Sequence, residues 1–281
     1  MKYGASTFIW VSPFSNDTFD LLTKVRNMGF DVLEVCVERS DVIDPYALKD
    51  AADEAGVGVL ICGAFGPDRN ISSEDADIRE NGANYIKKCI DYANITGSEL
   101  VSGPMYSAVG YTRLLTKDER LKQWSLATEQ MKLLADYASQ KGVKLALEPL
   151  NRFETDFINT VEQGLEFIDM IGYDNVGFLL DTFHMNIEEK SISGAIKMAG
   201  KSLFNFHACA NDRGTPGEDH LPWADIADAL KAINYDSYAV IESFTTEIKE
   251  IARAVSIWRP LAESQDILAT NGLKFLKNNI K

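Results

Sequence analysis

The sequence predicts an α/β fold: a single (β/α)8 barrel of the TIM type with an additional C-terminal helix. Three observations carry this. Eight short apolar runs rich in Val, Ile, Leu and Phe recur along the 281 residues, each followed by a longer amphipathic segment, and that alternation is the pattern of parallel βαβ units. The length suits one closed ring of eight such units. The runner-up, an open doubly wound sheet, usually carries a glycine-rich first turn, and "FIWVSPF" after the first run has no GxGxxG.

In chain order the predicted strands are "YGASTFIW" from Tyr3, "VLEVCV" from Val32, "VGVLICGAF" from Val57, "ELVSGPM" from Glu99, "KLALEPL" from Lys144, "VGFLLDTF" from Val176, "LFNFHACA" from Leu203 and "YAVIESF" from Tyr238. Between them, "NDTFDLLTKVRNMG" reads as a helix capped by Asn16 or Asp17 and stopped by Gly29, and "WADIADALKAINY" as one ending near Asn234. No linker, low-complexity tract or sharp shift in composition divides residues 1–281, which predicts one domain. Residues 263–279, "ESQDILATNGLKFLKNN", form the extra helix beyond the eighth unit, packed over one end of the barrel or at a subunit contact.

Hydrophobic residues make up 46% of the chain, enough to bury a large core. With 28 Lys and Arg against 42 Asp and Glu, the formal net charge is -14, without a basic cluster. Nucleic acid and anionic membranes would be repelled. No stretch reaches the ~20 apolar residues of a membrane span, and "MKYGASTFIWVSPF" has no signal-peptide core; the expectation is a cytosolic protein. Cys36, Cys62, Cys89 and Cys209 form no CxxC pair and read as reduced thiols.

Barrel strands are buried on both faces, so an acid or imidazole within one must be paired, metal-bound or at the rim. Four successive runs break the apolar rule at equivalent places: Glu148 in "LALEP", Asp181 in "FLLDT", His207 in "FNFHA" and Glu242 in "AVIES". Their positions are separated by 33, 26 and 35 residues, each close to the ~30 residues of one βαβ unit. All fall at the C-terminal strand ends, where barrel enzymes keep their active sites. A single acid there is commonly a helix cap or rim ion pair, and a single histidine a hydrogen-bonded core residue. Three carboxylates and an imidazole converging in register instead call for a cation. An oxygen-rich donor set with one nitrogen suits Mn²⁺, Mg²⁺ or Co²⁺.

Nearby loops add Asn151, Arg152 and Glu154 in "LNRFET", His184 after Asp181, and Asp212 and Arg213 in "ANDRGTPGEDH". His184 and Arg213 are candidates for substrate hydroxyls, Arg152 for a structural ion pair, and His220 for a structural contact in its loop. Glu188 and Glu189 read as charges at the start of the next helix, not as ligands.

Strands five and eight stand on different sides of the barrel mouth, so Glu148 and Glu242 can face a metal-bound substrate from opposite faces. That suits removing a proton from one face of a carbon and returning one to the other, with the cation stabilising an enediolate. An α-hydroxy ketone, a ketose sugar, is the matching substrate. Aldose–ketose or hydroxypyruvate isomerisation on the same metal is the alternative. A multi-metal nuclease would need more histidines and a basic groove, and a non-catalytic sugar-binding barrel would not need the complete quartet.

The segments "LEPLNRFET", "LLDTFHMNIEE", "FNFHACANDR", "HLPWADI", "VIESF" and "AVSIWRPL", with "SSEDADIRENGANYIKK" in the first half, resemble the ketose 3-epimerase family. That family comprises the D-tagatose, D-allulose (D-psicose) and L-ribulose 3-epimerases. The resemblance implies a xylose-isomerase-like barrel, C3 epimerisation of free ketoses (D-fructose/D-allulose, D-tagatose/D-sorbose, L-ribulose/L-xylulose), one Mn²⁺ or Co²⁺ per subunit, and a homodimer or homotetramer. It also implies Glu148, Asp181, His207 and Glu242 as ligands, Glu148 and Glu242 as the acid–base pair, Glu154, His184 and Arg213 on the C1–C3 oxygens, and Trp10 and Cys62 lining the pocket. The chain departs from the family in having Cys209 and Ala210 where many relatives have Gly-Glu. It also lacks a tryptophan in "GPMYSAVGY". Both departures bear on which ketose is preferred.

Overall fold

Eight parallel strands pair in sequence order, and β8 pairs back onto β1, closing the barrel. The computed structural model describes residues 1–280. The strands are β1 (Lys2–Ser6), β2 (Val32–Val37), β3 (Gly58–Gly63), β4 (Leu100–Gly103), β5 (Lys144–Leu147), β6 (Val176–Asp181), β7 (Leu203–His207) and β8 (Tyr238–Ile241). The helices are α1 (Asp20–Met28), α2 (Pro45–Ala55), α3 (Ala76–Thr96), α4 (Lys117–Gln140), α5 (Val161–Ile171), α6 (Thr182–Glu188), α7 (Ile192–Ala199), α8 (Trp223–Ala232), α9 (Lys249–Ala254) and α10 (Gln265–Asn279). Closure rules out the open sheet.

Seven predicted runs contain their strands, and the first overlaps β1, which begins one residue earlier at Lys2 and shows one informative shortening. The first ends at Ser6, and Thr7–Ile9 form a 3₁₀ turn in which the Ser6 hydroxyl accepts from the Phe8 N–H. Helix α1 starts later than its predicted cap, because Asn16 lies in a 3₁₀ turn held by a Ser15–Thr18 capping box. Asn16 instead accepts a hydrogen bond from the Asp44 N–H. Gly29 ends α1 in the left-handed conformation (φ 94°) that glycine adopts without a Cβ clash.

Alternation along the strands creates two apolar regions. Residues such as Leu33, Val35, Phe178 and Phe206 point outward and join the helices in the main core. Val32, Leu60, Leu100, Tyr238 and Val240 form a smaller plug inside the barrel. Above that plug the interior turns polar, with Glu34, Ser102 and Asn205 all fully buried.

One irregularity positions the site. Phe178 of β6 pairs with Leu203, but Leu179 pairs with Asn205, so the ladder skips Phe204. Such a bulge re-aims the side chains after it. It brings Asp181 level with His207 and sends Asn205 and His207 to the interior.

The C-terminal helix α10 lies within the expected 263–279 and closes the outer layer by packing on β8, β1 and α8. Its polar ties include Gln265 Nε2 to Ile9 O (2.7 Å), Lys277 Nζ to Gly29 O (2.8 Å) and, just past its end, Tyr3 Oη to Ile280 O (2.6 Å). It therefore serves as the outer helix of the eighth unit, while the short α6 and α9 fall outside the eightfold alternation.

Candidate active site

Glu148 follows β5 immediately, Asp181 and His207 end β6 and β7, and Glu242 follows β8. All four are buried, and one ligand-type atom from each lies within 4.8 Å of the others. Their fit to a divalent metal shows at His207, whose Nδ1 is buried with no hydrogen-bond partner. It faces Asp181 Oδ2 at 3.6 Å and Glu242 Oε2 at 3.7 Å. These gaps are too long for hydrogen bonds and suit donors sharing one ion. Burial lowers the proton affinity of His207, but Glu34 and Glu242 outweigh it and raise the ring well above the usual imidazole range. The surrounding carboxylates thus favour positive charge on this ring. Three carboxylates and one imidazole form a divalent-metal donor set.

Asp181 serves two ends at once. As cap of α6 its Oδ1 accepts from the Phe183 N–H (2.6 Å) and the His184 N–H (3.3 Å), while Oδ2 turns to the cluster. Burial opposes its charge, yet Arg213, with His207, holds its carboxyl well below the usual range. Burial and the neighbouring Glu242 push the Glu148 carboxyl well above its usual range.

Arg213 and His184 join the quartet. Arg213 Nη1 donates to Asp181 Oδ2 and Glu242 Oε2, each at 2.6 Å. Its guanidinium lies 4.2 Å from the centre of the Phe183 ring, and its backbone takes a left-handed φ of 68°. Nη2 is 3.0 Å from His184 Nε2. On the other side of that ring, Nδ1 accepts from the Asn151 N–H at 3.0 Å. Burial and then Arg213 push His184 down to about 3, so its ring is neutral at ordinary pH. Glu154 accepts from Asn151 Nδ2 at 2.8 Å, and burial raises its carboxyl.

A cavity of about 270 Å³ opens above these groups. Its polar wall is Cys62, Glu148, Glu154, His184, Arg213 and Glu242; its apolar wall includes Phe8, Phe65, Val109, Phe244 and Ile251. Among the residues expected to meet substrate, all line it except Trp10. In an extended strand Phe8 and Trp10 would share a face, but the 3₁₀ turn over Thr7–Ile9 separates them. Phe8 enters the cavity, while the Trp10 indole N–H donates to Asp266 Oδ1 on α10 at 2.7 Å.

The charges around the rim sort differently from their sequence reading. Arg152 forms the expected ion pair, a bidentate one with Glu188 (2.9 and 3.0 Å). "FHMNIE" is itself helical, so Glu188 ends α6 rather than starting the next helix. Glu189 does meet a helix start, that of α5, where it accepts from the Val161 N–H at 2.8 Å. His220 is exposed in the loop before α8.

Sequence reading missed Glu34 and Ser102. Glu34 Oε2 approaches His207 Nε2 to 2.8 Å, an ion-pair contact outside hydrogen-bond geometry. Its Oε1 accepts from Asn205 Nδ2 at 2.9 Å and Ser102 Oγ at 3.2 Å. The signal was an acid in the middle of "VLEVCV", a run otherwise without polar residues.

The xylose isomerase-like TIM barrel family matches residues 22–268. A probable ketose 3-epimerase of Synechocystis is 37% identical over 99% of this chain and 96% of its own length. The chain belongs to the ketose 3-epimerase family. It is an isomerase of the carbohydrate epimerase type. A solved L-ribulose 3-epimerase superposes with a TM-score of 0.93 at 31% identity, covering 99% of this chain and 94% of that one. The D-psicose 3-epimerase from Clostridium cellulolyticum, solved with D-tagatose, gives 0.92 at 31% identity over the full length of both chains. Among the described residues, no helix is long and apolar enough to cross a membrane.

Proposed function

We propose that the chain epimerises free ketoses at C3 by deprotonation on one face and reprotonation on the other. The observation that carries this is the pair of buried carboxylates, Glu148 and Glu242, delivered by β5 and β8 to one metal-type quartet. Solved relatives named for D-psicose and L-ribulose 3-epimerase activity support the reaction class. Glu148, Asp181, His207 and Glu242 would hold Mn²⁺ or Co²⁺, with Mg²⁺ as a third candidate. Once bound, the ion supplies Lewis acidity toward the carbonyl and adjacent hydroxyl oxygens of the ketose.

The chain's own residues do the rest. One glutamate takes the C3 proton and leaves an enediolate; the other delivers a proton from the opposite side, and their roles exchange with the direction of reaction. The raised carboxyl of Glu148 suits a group that must carry a proton part of the time. Neutral His184 and the Arg213 guanidinium face the C1–C3 oxygens, and Glu154, steadied by Asn151, accepts from a hydroxyl. Cys62 lines the adjacent wall. At about 270 Å³ the cavity is near the low end of ligand clefts and suits a monosaccharide. Among the described residues, Arg213 is the single cationic one lining it and is already committed to two carboxylates, which favours a free sugar over a phosphorylated one.

The test is to incubate purified protein with Mn²⁺ and D-fructose, D-tagatose or L-ribulose in deuterated water. C3 epimers carrying deuterium at C3 are expected. An aldose carrying deuterium at C2, with exchange at C1 of the recovered ketose and no C3 epimer, would establish aldose–ketose isomerisation instead. We further propose a homodimer or homotetramer, supported by the exposed Leu114 and Phe153 on loops tied together by the Arg113–Asp156 pair; light scattering on the purified protein checks it.

A further inference from the structure

We propose that Glu34, on the opposite half of the barrel from the metal-type ligands, is the positioning residue that aims His207 at the ion. The inference rests on the reading of the quartet as a metal site. Its basis is geometric. Glu34 is the only carboxylate of β2, and it is completely buried halfway up the barrel interior. Its two oxygens do different jobs. Oε1 accepts from Asn205 Nδ2 (2.9 Å) and Ser102 Oγ (3.2 Å), which fixes the carboxylate from β7 and β4. Oε2 is left to meet His207 Nε2 at 2.8 Å.

An imidazole ligates through one nitrogen only if that nitrogen keeps its lone pair, and a hydrogen-bond acceptor at the other nitrogen settles which one does. A carboxylate offers acceptors alone, so Glu34 favours the proton on Nε2 and leaves Nδ1 free. Neither ring nitrogen is in hydrogen-bond geometry, but Nε2 has Glu34 Oε2 at 2.8 Å, whereas Nδ1 stands 3.6 and 3.7 Å from Asp181 and Glu242. Asn205 strengthens the case, since it sits two residues before His207 on the same strand face and holds the same carboxylate. A buried acid placed only for stability would not need an oxygen directed at a ligand's far nitrogen.

The experiment compares wild type with Glu34→Gln and Ser102→Ala, each first freed of metal. The Gln side chain keeps the shape and can still accept from Asn205, but it presents an amide where a second acceptor stood. Mn²⁺ is titrated and the free ion read by electron spin resonance. Proton positions on the three histidines are read from their ring ¹⁵N shifts, and melting by circular dichroism reports the fold. Wild type is expected to bind one Mn²⁺ per chain and to carry a proton on His207 Nε2. Glu34→Gln should weaken Mn²⁺ about 10- to 100-fold and shift the His207 ring signals. Ser102→Ala, which only loosens the carboxylate, should weaken it several-fold.

Wild-type Mn²⁺ affinity in a folded Glu34→Gln protein, or a wild-type His207 without a proton on Nε2, overturns the inference. Where Glu34→Gln does not fold, wild-type affinity in Ser102→Ala overturns it. If wild type itself binds no Mn²⁺, the metal reading of the quartet fails, and the ring signals alone decide the role of Glu34.

Discussion

The two halves of the barrel are built alike and equipped differently. Strands β5 to β8 each deliver one member of the Glu148–Asp181–His207–Glu242 quartet, at the strand end or one residue past it. Strands β1 to β4 contribute no quartet member. They place Glu34 and Ser102 deeper inside, and with the turns that follow they line the cavity with Phe8, Cys62 and Phe65. The difference separates chemistry from shape. Polar groups must converge to within a few ångströms to share an ion, and neighbouring strands of one half-barrel achieve that most directly. The other half is then free to hold and wall the site.

Stripping divalent metal with a chelator should break the arrangement most severely. Turnover on ketoses is expected to fall to background and to return with Mn²⁺ or Co²⁺; full activity after verified metal loss would remove the quartet's proposed role. Next in size, Glu148→Gln and Glu242→Gln keep their shape and lose the ionisable group. Each should lower kcat about 10³-fold, within the range for lost general acid–base catalysis, while still folding. Undiminished turnover in either would sink the two-base mechanism.

The wall residues sharpen the comparison from the other side. Phe8→Ala removes apolar area from the cavity and the ring contact to Phe244 at 5.2 Å. It should raise KM for a ketose about tenfold, equivalent to ~1.4 kcal/mol of binding, with kcat changed less than about threefold. A large kcat loss with KM intact would mean that this half takes part in the chemistry. The smallest effect is expected for Trp10→Phe. It loses the hydrogen bond to Asp266, worth about 1 kcal/mol or less, and shrinks the ring beneath Lys24 Nζ, so steady-state constants should stay within about twofold while the melting temperature drops slightly. A tenfold change in KM would put Trp10 back at the cavity.

The strand-end residues were legible because a buried strand has little tolerance for polar groups: Glu148, Asp181, His207 and Glu242 stood out against apolar neighbours at the spacing of βαβ units. Glu34 stood out by the same rule, but no neighbouring run repeated it at the same level, so sequence spacing offered no partner. Its partners Ser102, Asn205 and His207 are 68, 171 and 173 positions away along the chain. Trp10 was misplaced because a strand and a 3₁₀ turn can share one apolar run while differing in which residues share a face. Glu188 was misread for a related reason: the helix it was expected to begin had already begun at Thr182.

By itself the sequence determined the eight strand–helix units, the quartet and its oxygen-rich chemistry, because burial forces apolar periodicity and makes each exception conspicuous. Tertiary structure alone decided what depends on register and on distant approach. The skipped Phe204 sets Asp181 beside His207, Arg213 bridges two carboxylates, Phe8 takes the wall in place of Trp10, and Glu34 reaches across the interior to His207. The physical reason is that periodicity is a local property of the chain, whereas a bulge, a turn's hand and a contact across the barrel are fixed only when all eight strands close together.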